Sequence, residues 1–476
     1  MQARLLTRET GDLPPHDLAR FITDQLLHAF ASAPQHRFNG ESPSSQSLDE
    51  TDGRARPLRA HAAGVSALAL EKFDGRLLVS GGFEGSIKIW DLDEPSTPHA
   101  RHVFRPVSTI LRDTGGAGGG HSHGITHLAF YPFDRDAFLS SSYDKTLKLW
   151  ATQRAALTAK FDLNATIYSH AMSPLAHHLL VSCATQHSNV RLVDLKSGAA
   201  VQALVSHGGP VLATAWSPLR EHVLASGHAD GKVRIWDVRR AGGVMALLDQ
   251  EDSLGITSTE QPRVHLRSNA TAQAHDEPVN GLAWTDDGAY IVSAGLDRKV
   301  RVWDAASGAN TLASFGALIQ NQHARTAAVV VPPSPSGGGM LVWPNDHEIL
   351  MLDLHHGTLL TRLRCPHGTS ARTSSGTGTR IRITTIAWRS HGGGASPNGR
   401  AGMGGNNSLG AIYSAHSDGQ IRAWMPLVPG PDDVDEVDVD PLEEAAEEKS
   451  RKRKVIDSAY RSLMGREITF TGRSKR

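Results

Sequence analysis

The chain has 476 residues, with 49 Lys+Arg against 49 Asp+Glu, 46 glycines and 6% aromatics. The balanced charge gives no sign of a polyanionic partner, and no apolar run is long enough to span a bilayer. Two cysteines, Cys183 and Cys365, form no CxxC, which argues against a disulfide framework and fits a reducing compartment.

The start, MQARLLTRETGDLPP, has no long apolar stretch and does not read as a secretory signal. Behind Pro14–Pro15, residues 16–30 place Leu18, Phe21, Ile22, Leu26, Ala29 and Phe30 at helical spacing. This predicts an amphipathic helix that either folds back on the rest of the chain or docks a partner, with docking favoured. Residues 31–56 are polar and rich in Ser, Pro, Gly and Asp, and read as a flexible linker.

From residue 57 to 430 one pattern recurs: an apolar strand, a turn with an acidic residue, then a strand ending near Trp-Asp. The clear copies are SGGFEGSIKIWDL (80–92), SSSYDKTLKLWA (140–151), SGHADGKVRIWDV (226–238), SAGLDRKVRVWDA (293–305) and SAHSDGQIRAWMP (414–426). CATQHSNVRLVDL (183–195) and VWPNDHEILMLDL (342–354) are weaker copies, which makes seven. Ten residues before Trp90, Trp150, Trp236, Trp303 and Trp424 stand Ser80, Ser140, Ser226, Ser293 and Ser414. Six before stand Glu84, Asp144, Asp230, Asp297 and Asp418; further back are His61, His123, His207 and His275. The weak copies put Cys183, His187 and Val193, or Val342, Asp346 and Leu352, at these places.

Short strands in such repeats bury their faces only by packing copy on copy. The expected fold is therefore all-β, a seven-bladed propeller. VSALAL (65–70), ITHLAF (125–130), VLATAW (211–216) and VNGLAW (279–284) read as first strands of blades, and Arg54–Arg59 is the candidate to close the ring. The Trp, Ser, His and acidic residues at these places can donate to and accept from one another, and such a network fixes a blade only when every member is satisfied. Their role is structural, and no catalytic residue is assigned. No metal-ligand set appears at a workable spacing, no cofactor is expected, and no nucleophile–base pair or phosphate loop marks an enzyme.

Glycine-rich stretches at 113–121, 368–380 and 390–408 read as inserted loops, and residues 249–273 are longer than a repeat needs. After residue 430 the chain carries ten carboxylates in 431–448, then KSRKRK (449–454). This charged tail is expected to be disordered. Lys449, Arg451, Lys452, Arg453 and Lys454 are either solvated charge or a nuclear-import or nucleic-acid cluster.

The repeats resemble the WD40 family, whose blades carry a Trp–Ser–His–Asp chain. The stretches YPFDRDAFLSSSYDKTLKLW (131–150), IYSHAMSP (167–174), WDVRRAGG (236–243) and SGANTLASFG (307–316) resemble more narrowly the family of the Cockayne syndrome type A repair protein. That resemblance implies a substrate receptor of a nuclear cullin-4 RING ubiquitin ligase. Such receptors act in transcription-coupled nucleotide excision repair with the machinery at stalled RNA polymerase II. They dock on a propeller adaptor of the damaged-DNA-binding family through a WDxR motif and an N-terminal helix. Here the motif is matched by Trp236, Asp237 and Arg239, with Arg240 beside it, and the helix by Leu18, Phe21, Ile22 and Leu26. The basic tail (449–476) and the insertion at 390–408 are not matched to that family. The alternative is a WD-repeat scaffold of another nuclear assembly, in chromatin modification or RNA processing. Direct contact with nucleic acid is left open.

Overall fold

The computed structural model describes residues 27–41, 58–92, 102–115, 119–175, 178–240, 243–253, 272–323, 327–332, 339–364, 381–389 and 410–426. Within them the chain forms seven antiparallel blades in sequence order. Blade 1 is Val65–Leu70, Leu77–Gly82, Ile87–Asp91 and Pro106–Ile110. Blade 2 is Ile125–Phe130, Ala137–Ser142, Thr146–Ala151 and Ala156–Asp162; blade 3 is Ile167–Met172, Leu180–Thr185, Val190–Asp194 and Ala199–Leu204. Blade 4 is Val211–Trp216, Val223–His228, Val233–Asp237 and Val244–Leu247. Blade 5 has Val279–Trp284, Tyr290–Gly295 and Val300–Asp304, with a single bridge from Trp303 to Asn310 on its outer side. Blade 6 has Met340–Pro344, Glu348–Asp353 and Leu359–Arg364, with a bridge from Val330 to Val342 on its inner side. Blade 7 is Ile383–Arg389, Ala411–His416 and Ile421–Pro426, with Phe30–Ser32 outermost.

The seven-bladed all-β ring is the expected architecture. Each second strand is buried along almost its whole length, as in Val223–His228, because it faces a neighbouring blade on either side. The core is accordingly seven seams, each joining two adjacent blades. One such seam packs Val79, Ile87 and Ile89 of blade 1 against Ile125, Leu128 and Phe138 of blade 2. The first strand of six blades carries an extra residue against its partner near its start, as at Ile125/His127 and Val279/Gly281. Such bulges increase strand twist.

Ring closure differs from the expectation. Phe30–Ser32 pairs antiparallel with the last strand, Phe30 opposite Pro426 and Ser32 opposite Trp424. Phe30–Ser32 takes the place expected of Arg54–Arg59, of which only Leu58 and Arg59 are among the described residues. The segment read as linker also contains His36–Phe38, which pairs in parallel with His102–Phe104 and buries Phe38 edge-on to Trp90 at the seam of blades 7 and 1. The propeller therefore draws on chain well before residue 57. Three residues of strand are too few to show an alternation, so their pairing was invisible beforehand.

The predicted helix lies partly in view. Leu27 and His28 are helical, but Phe30 is already strand. Leu27 and Phe30 are buried against Met340, Val342 and Ile383 of blades 6 and 7, so this end of the apolar face is used by the ring itself. Leu18, Phe21, Ile22 and Leu26 lie outside the described residues, as do Lys449, Arg451, Lys452, Arg453 and Lys454 and the acidic run before them.

Blade 6 also needs a correction. In blade 5 Ser293 pairs opposite Arg301 and Trp303 opposite Ile291. The same places in blade 6 are held by Trp343, opposite Leu350, and by Leu352, opposite Leu341. The turn is one residue shorter than in the clear copies, so Trp343, and not Val342, stands where the serine would be. In blade 3 Cys183 does take the serine's place, opposite Arg191. Burial pushes its thiol up to about 12, which leaves it inert.

Candidate functional site

The hydrogen-bond chains form in five blades. The indole N–H donates to the serine hydroxyl at 2.8 Å for Trp90–Ser80, 2.7 Å for Trp150–Ser140, 2.7 Å for Trp236–Ser226, 2.9 Å for Trp303–Ser293 and 2.8 Å for Trp424–Ser414. Each serine lies 2.6–2.9 Å from a histidine Nε2: His61, His121, His228, His275 and His416. Two expected histidines are therefore wrong. His121, not His123, reaches Ser140 and Asp144, and His228, not His207, reaches Ser226. His207 contributes only its carbonyl, to Arg234 at 2.7 Å. His61, His121 and His275 each stand four residues before a first strand. His228 and His416 come instead from the second strand, two residues after the serine.

The electrostatics follow from that difference. Burial lowers the pKa of His61, His121 and His275, and it outweighs the opposing bonds from Glu84, Asp144 and Asp297. Burial also raises the pKa of Glu84, but its bond from His61 prevails and holds the carboxyl at about 2. In blades 4 and 7 an arginine takes the carboxylate instead: Arg234 pairs with Asp230 at 2.7 Å and Arg422 with Asp418 at 3.7 Å. Burial, reinforced by the nearby guanidinium, drops His228 and His416 to about 3. All five rings are neutral and structural.

The end of blade 4 is different in kind. The backbone N–H of Arg239 donates to Asp237 Oδ1 at 3.1 Å, capping the turn out of the third strand. Asp194, Asp304 and Asp353 cap the same turn in blades 3, 5 and 6. The Arg239 side chain then folds onto the same carboxylate, Nε to Oδ1 at 3.0 Å and Nη2 to Oδ2 at 2.8 Å. That fork holds the Asp237 carboxyl at about 2. The Arg239 guanidinium is thereby fixed against its own blade end. It is preorganised by Asp237 yet remains 65% exposed, and Arg240 is 71% exposed beside it. An exposed pair of this kind adds little to stability, so its position on the surface is the more informative property. Trp236, by contrast, is fully buried and serves the blade.

The same face carries a row that the repeat pattern had concealed. Phe73, Phe133, Leu175 and Leu219 are 43–64% exposed. Each is the third residue after the first strand of blades 1 to 4. Turns leaving first and third strands open on one face of a meander, so these side chains share the face of Arg239 and Arg240. The interleaved Arg154, Lys196 and Arg220 are exposed there too. Counting from strand ends, rather than from Trp, would have found the row.

The first strands line an axial channel of about 510 Å³, with Ser66, Thr126, Ser169, Thr214, Trp284 and Trp388 on its wall. Burial lowers His127, which lines it, to about 4. Among the described residues no cluster of three or more His, Cys, Asp or Glu could hold a metal, and no helix is long and apolar enough to cross a membrane.

Residues 54–91, 116–151, 198–237 and 267–304 match the family described as WD domain, G-beta repeat, and with the seven blades they make the ring a WD40 β-propeller. The chain is 29% identical over 310 residues to the WD repeat-containing protein ATCSA-1 of Arabidopsis thaliana, covering 54% of this chain and 69% of that one. It is 28% identical over 194 residues to Radiation-sensitive protein 28 of Saccharomyces cerevisiae, 38% of each chain. It is 26% identical over 255 residues to a Ribosome biogenesis protein WDR12 homolog of Drosophila persimilis, 52% of each. The chain thus spans about half or less of the last two. None of these names is that of an enzyme.

Proposed function

We propose that this chain is the non-catalytic substrate-recognition subunit of a nuclear cullin-4 RING ubiquitin ligase acting in transcription-coupled nucleotide excision repair. The observation that carries this reading is the end of blade 4. Arg239, set by Asp237, and Arg240 stand exposed beside the apolar row on one face, a surface suited to a partner that is apolar with carboxylates at its rim. A guanidinium already held in one geometry loses little freedom on docking. The names of the plant and yeast relatives, ATCSA-1 and a radiation-sensitive protein, point the same way. The chain would supply proximity and orientation, while other subunits transfer ubiquitin. The N-terminal residues Leu18, Phe21, Ile22 and Leu26 would add to the adaptor contact, and the basic run at 449–454 would serve nuclear import.

The second reading is a scaffold in another nuclear assembly, and the likeness to ribosome biogenesis proteins favours RNA processing among these. Purification of the tagged full chain from nuclear extract, with mass spectrometry of what accompanies it, separates the two. The cullin-4 adaptor is expected; ribosome-assembly factors in its place would replace the first reading with the second. A truncation that tests the helix must stop at residue 25, because Leu27 and Phe30–Ser32 belong to the ring.

A further inference from the structure

Blade 6 takes the hydrogen-bond chain apart and leaves its polar half at the surface. His323 precedes the inner segment of blade 6, which bridges from Val330 to Val342. It keeps a carboxylate, its Nε2 lying 3.0 Å from Asp346 Oδ1. The rings of His61, His121 and His275 are sealed, whereas the His323 side chain is 44% exposed, because the Trp343 indole fills the space that a serine would leave. Arg382, one residue before the first strand of blade 7, closes on the same ring, Nη1 at 2.9 Å from Nδ1 and 3.1 Å from Nε2. Its guanidinium has no carboxylate partner among the described residues. Arg234, Arg301 and Arg422 each have one in Asp230, Asp297 and Asp418.

These side chains rim a cavity of about 50 Å³ at the seam of blades 6 and 7, lined also by Trp343, Gln320, Asn321 and Thr384. Trp343 is 2% exposed and its indole N–H has no acceptor. A buried donor left in this state is costly until an acceptor reaches it. The one carboxylate lining the cavity, Asp346, is engaged by His323. Ile381, next to Arg382, is exposed and offers an apolar contact beside the charge.

We propose that this cavity binds a carboxylate, the aspartate or glutamate side chain of an acidic segment on a partner protein, with Arg382 as its principal contact. The planar fork of arginine matches a carboxylate bidentately. A volume of this size admits a group of three heavy atoms or a few waters. Asp346 lies in the turn between a second and a third strand, so the site opens on the face opposite Arg239. Both faces can then be occupied at once, whether the chain is a ligase receptor or a scaffold.

The test is fluorescence polarisation with the full chain and a labelled eight-residue peptide of alternating Glu and Gly. A Gln version and a phosphoserine version serve as controls. The Glu peptide is expected to bind at least tenfold tighter than the Gln peptide. Arg382→Gln should weaken it at least tenfold, and Trp343→Phe should weaken it less. Equal binding of the Glu and Gln peptides, undiminished binding by Arg382→Gln, or binding of the phosphoserine peptide alone would overturn the proposal.

Discussion

Blades 4 and 6 share a strand pattern but are held in different ways. Blade 4 threads Trp236, Ser226 and His228 through its interior by hydrogen bonds. Blade 6 places the indole on the second strand, as Trp343, and a leucine on the third, as Leu352, and buries both. Moving one large ring across the hairpin fills the same space with no polar chain. The two also expose different ends: Arg239 and Arg240 of blade 4 on one face, and His323 of blade 6, with Arg382 of blade 7 beside it, on the other. A repeat can thus lose its signature and keep its shape, and the displaced polar residues become available for binding.

The comparison can be broken most forcefully at Trp343. Trp343→Ala removes the residue that substitutes for a whole polar chain, and is expected to cost about 3–5 kcal/mol, the range for a buried aromatic. Scanning calorimetry would show a large drop in Tm. A drop no larger than that of a surface substitution would mean that blade 6 does not depend on the indole.

Acid should separate the blades next. His228 and His416 are held at about 3 in the folded chain against 6.5 for a free histidine. At pH below 6.5 the unfolded chain binds a proton that the folded chain does not. Stability is therefore fully present above 6.5 and is lost as pH falls toward 3, on the order of 1.4 kcal/mol per pH unit for each residue. Blade 6 has no such buried ring. His228→Asn is expected to flatten the decline of Tm between pH 6.5 and 4; an unchanged slope would show that His228 is not held neutral.

A smaller effect is expected at Ser226. Ser226→Ala strands the Trp236 N–H and the His228 ring in the interior, at about 1–3 kcal/mol. The equivalent serine-to-alanine change has no target in blade 6.

Much of this was legible beforehand, because Trp and Ser ten apart must meet across a tight hairpin. The histidines were not, because their constraint is spatial. His121 and His123 both fall within range of Trp150 by counting, and only the strand start selects the first. His228 and His416 stand inside the copies themselves, in SGHADG and SAHSDG, yet a search behind the strand passes over them. The closing strand Phe30–Ser32 is too short to carry a periodicity. The WDVR end was legible as a blade-specific feature, but the fork from Arg239 to Asp237 and the apolar row around it required the fold.

The smallest effect on stability, and the largest on function, is expected at Arg239, whose pairing is exposed. The direct measurement is titration calorimetry of the purified full chain with the purified adaptor of the damaged-DNA-binding family, using wild type and Arg239→Glu. The account predicts saturable binding by wild type, at least tenfold weaker binding by Arg239→Glu, and the same Tm for both. Equal affinity of the two chains, or no binding by wild type, would contradict it.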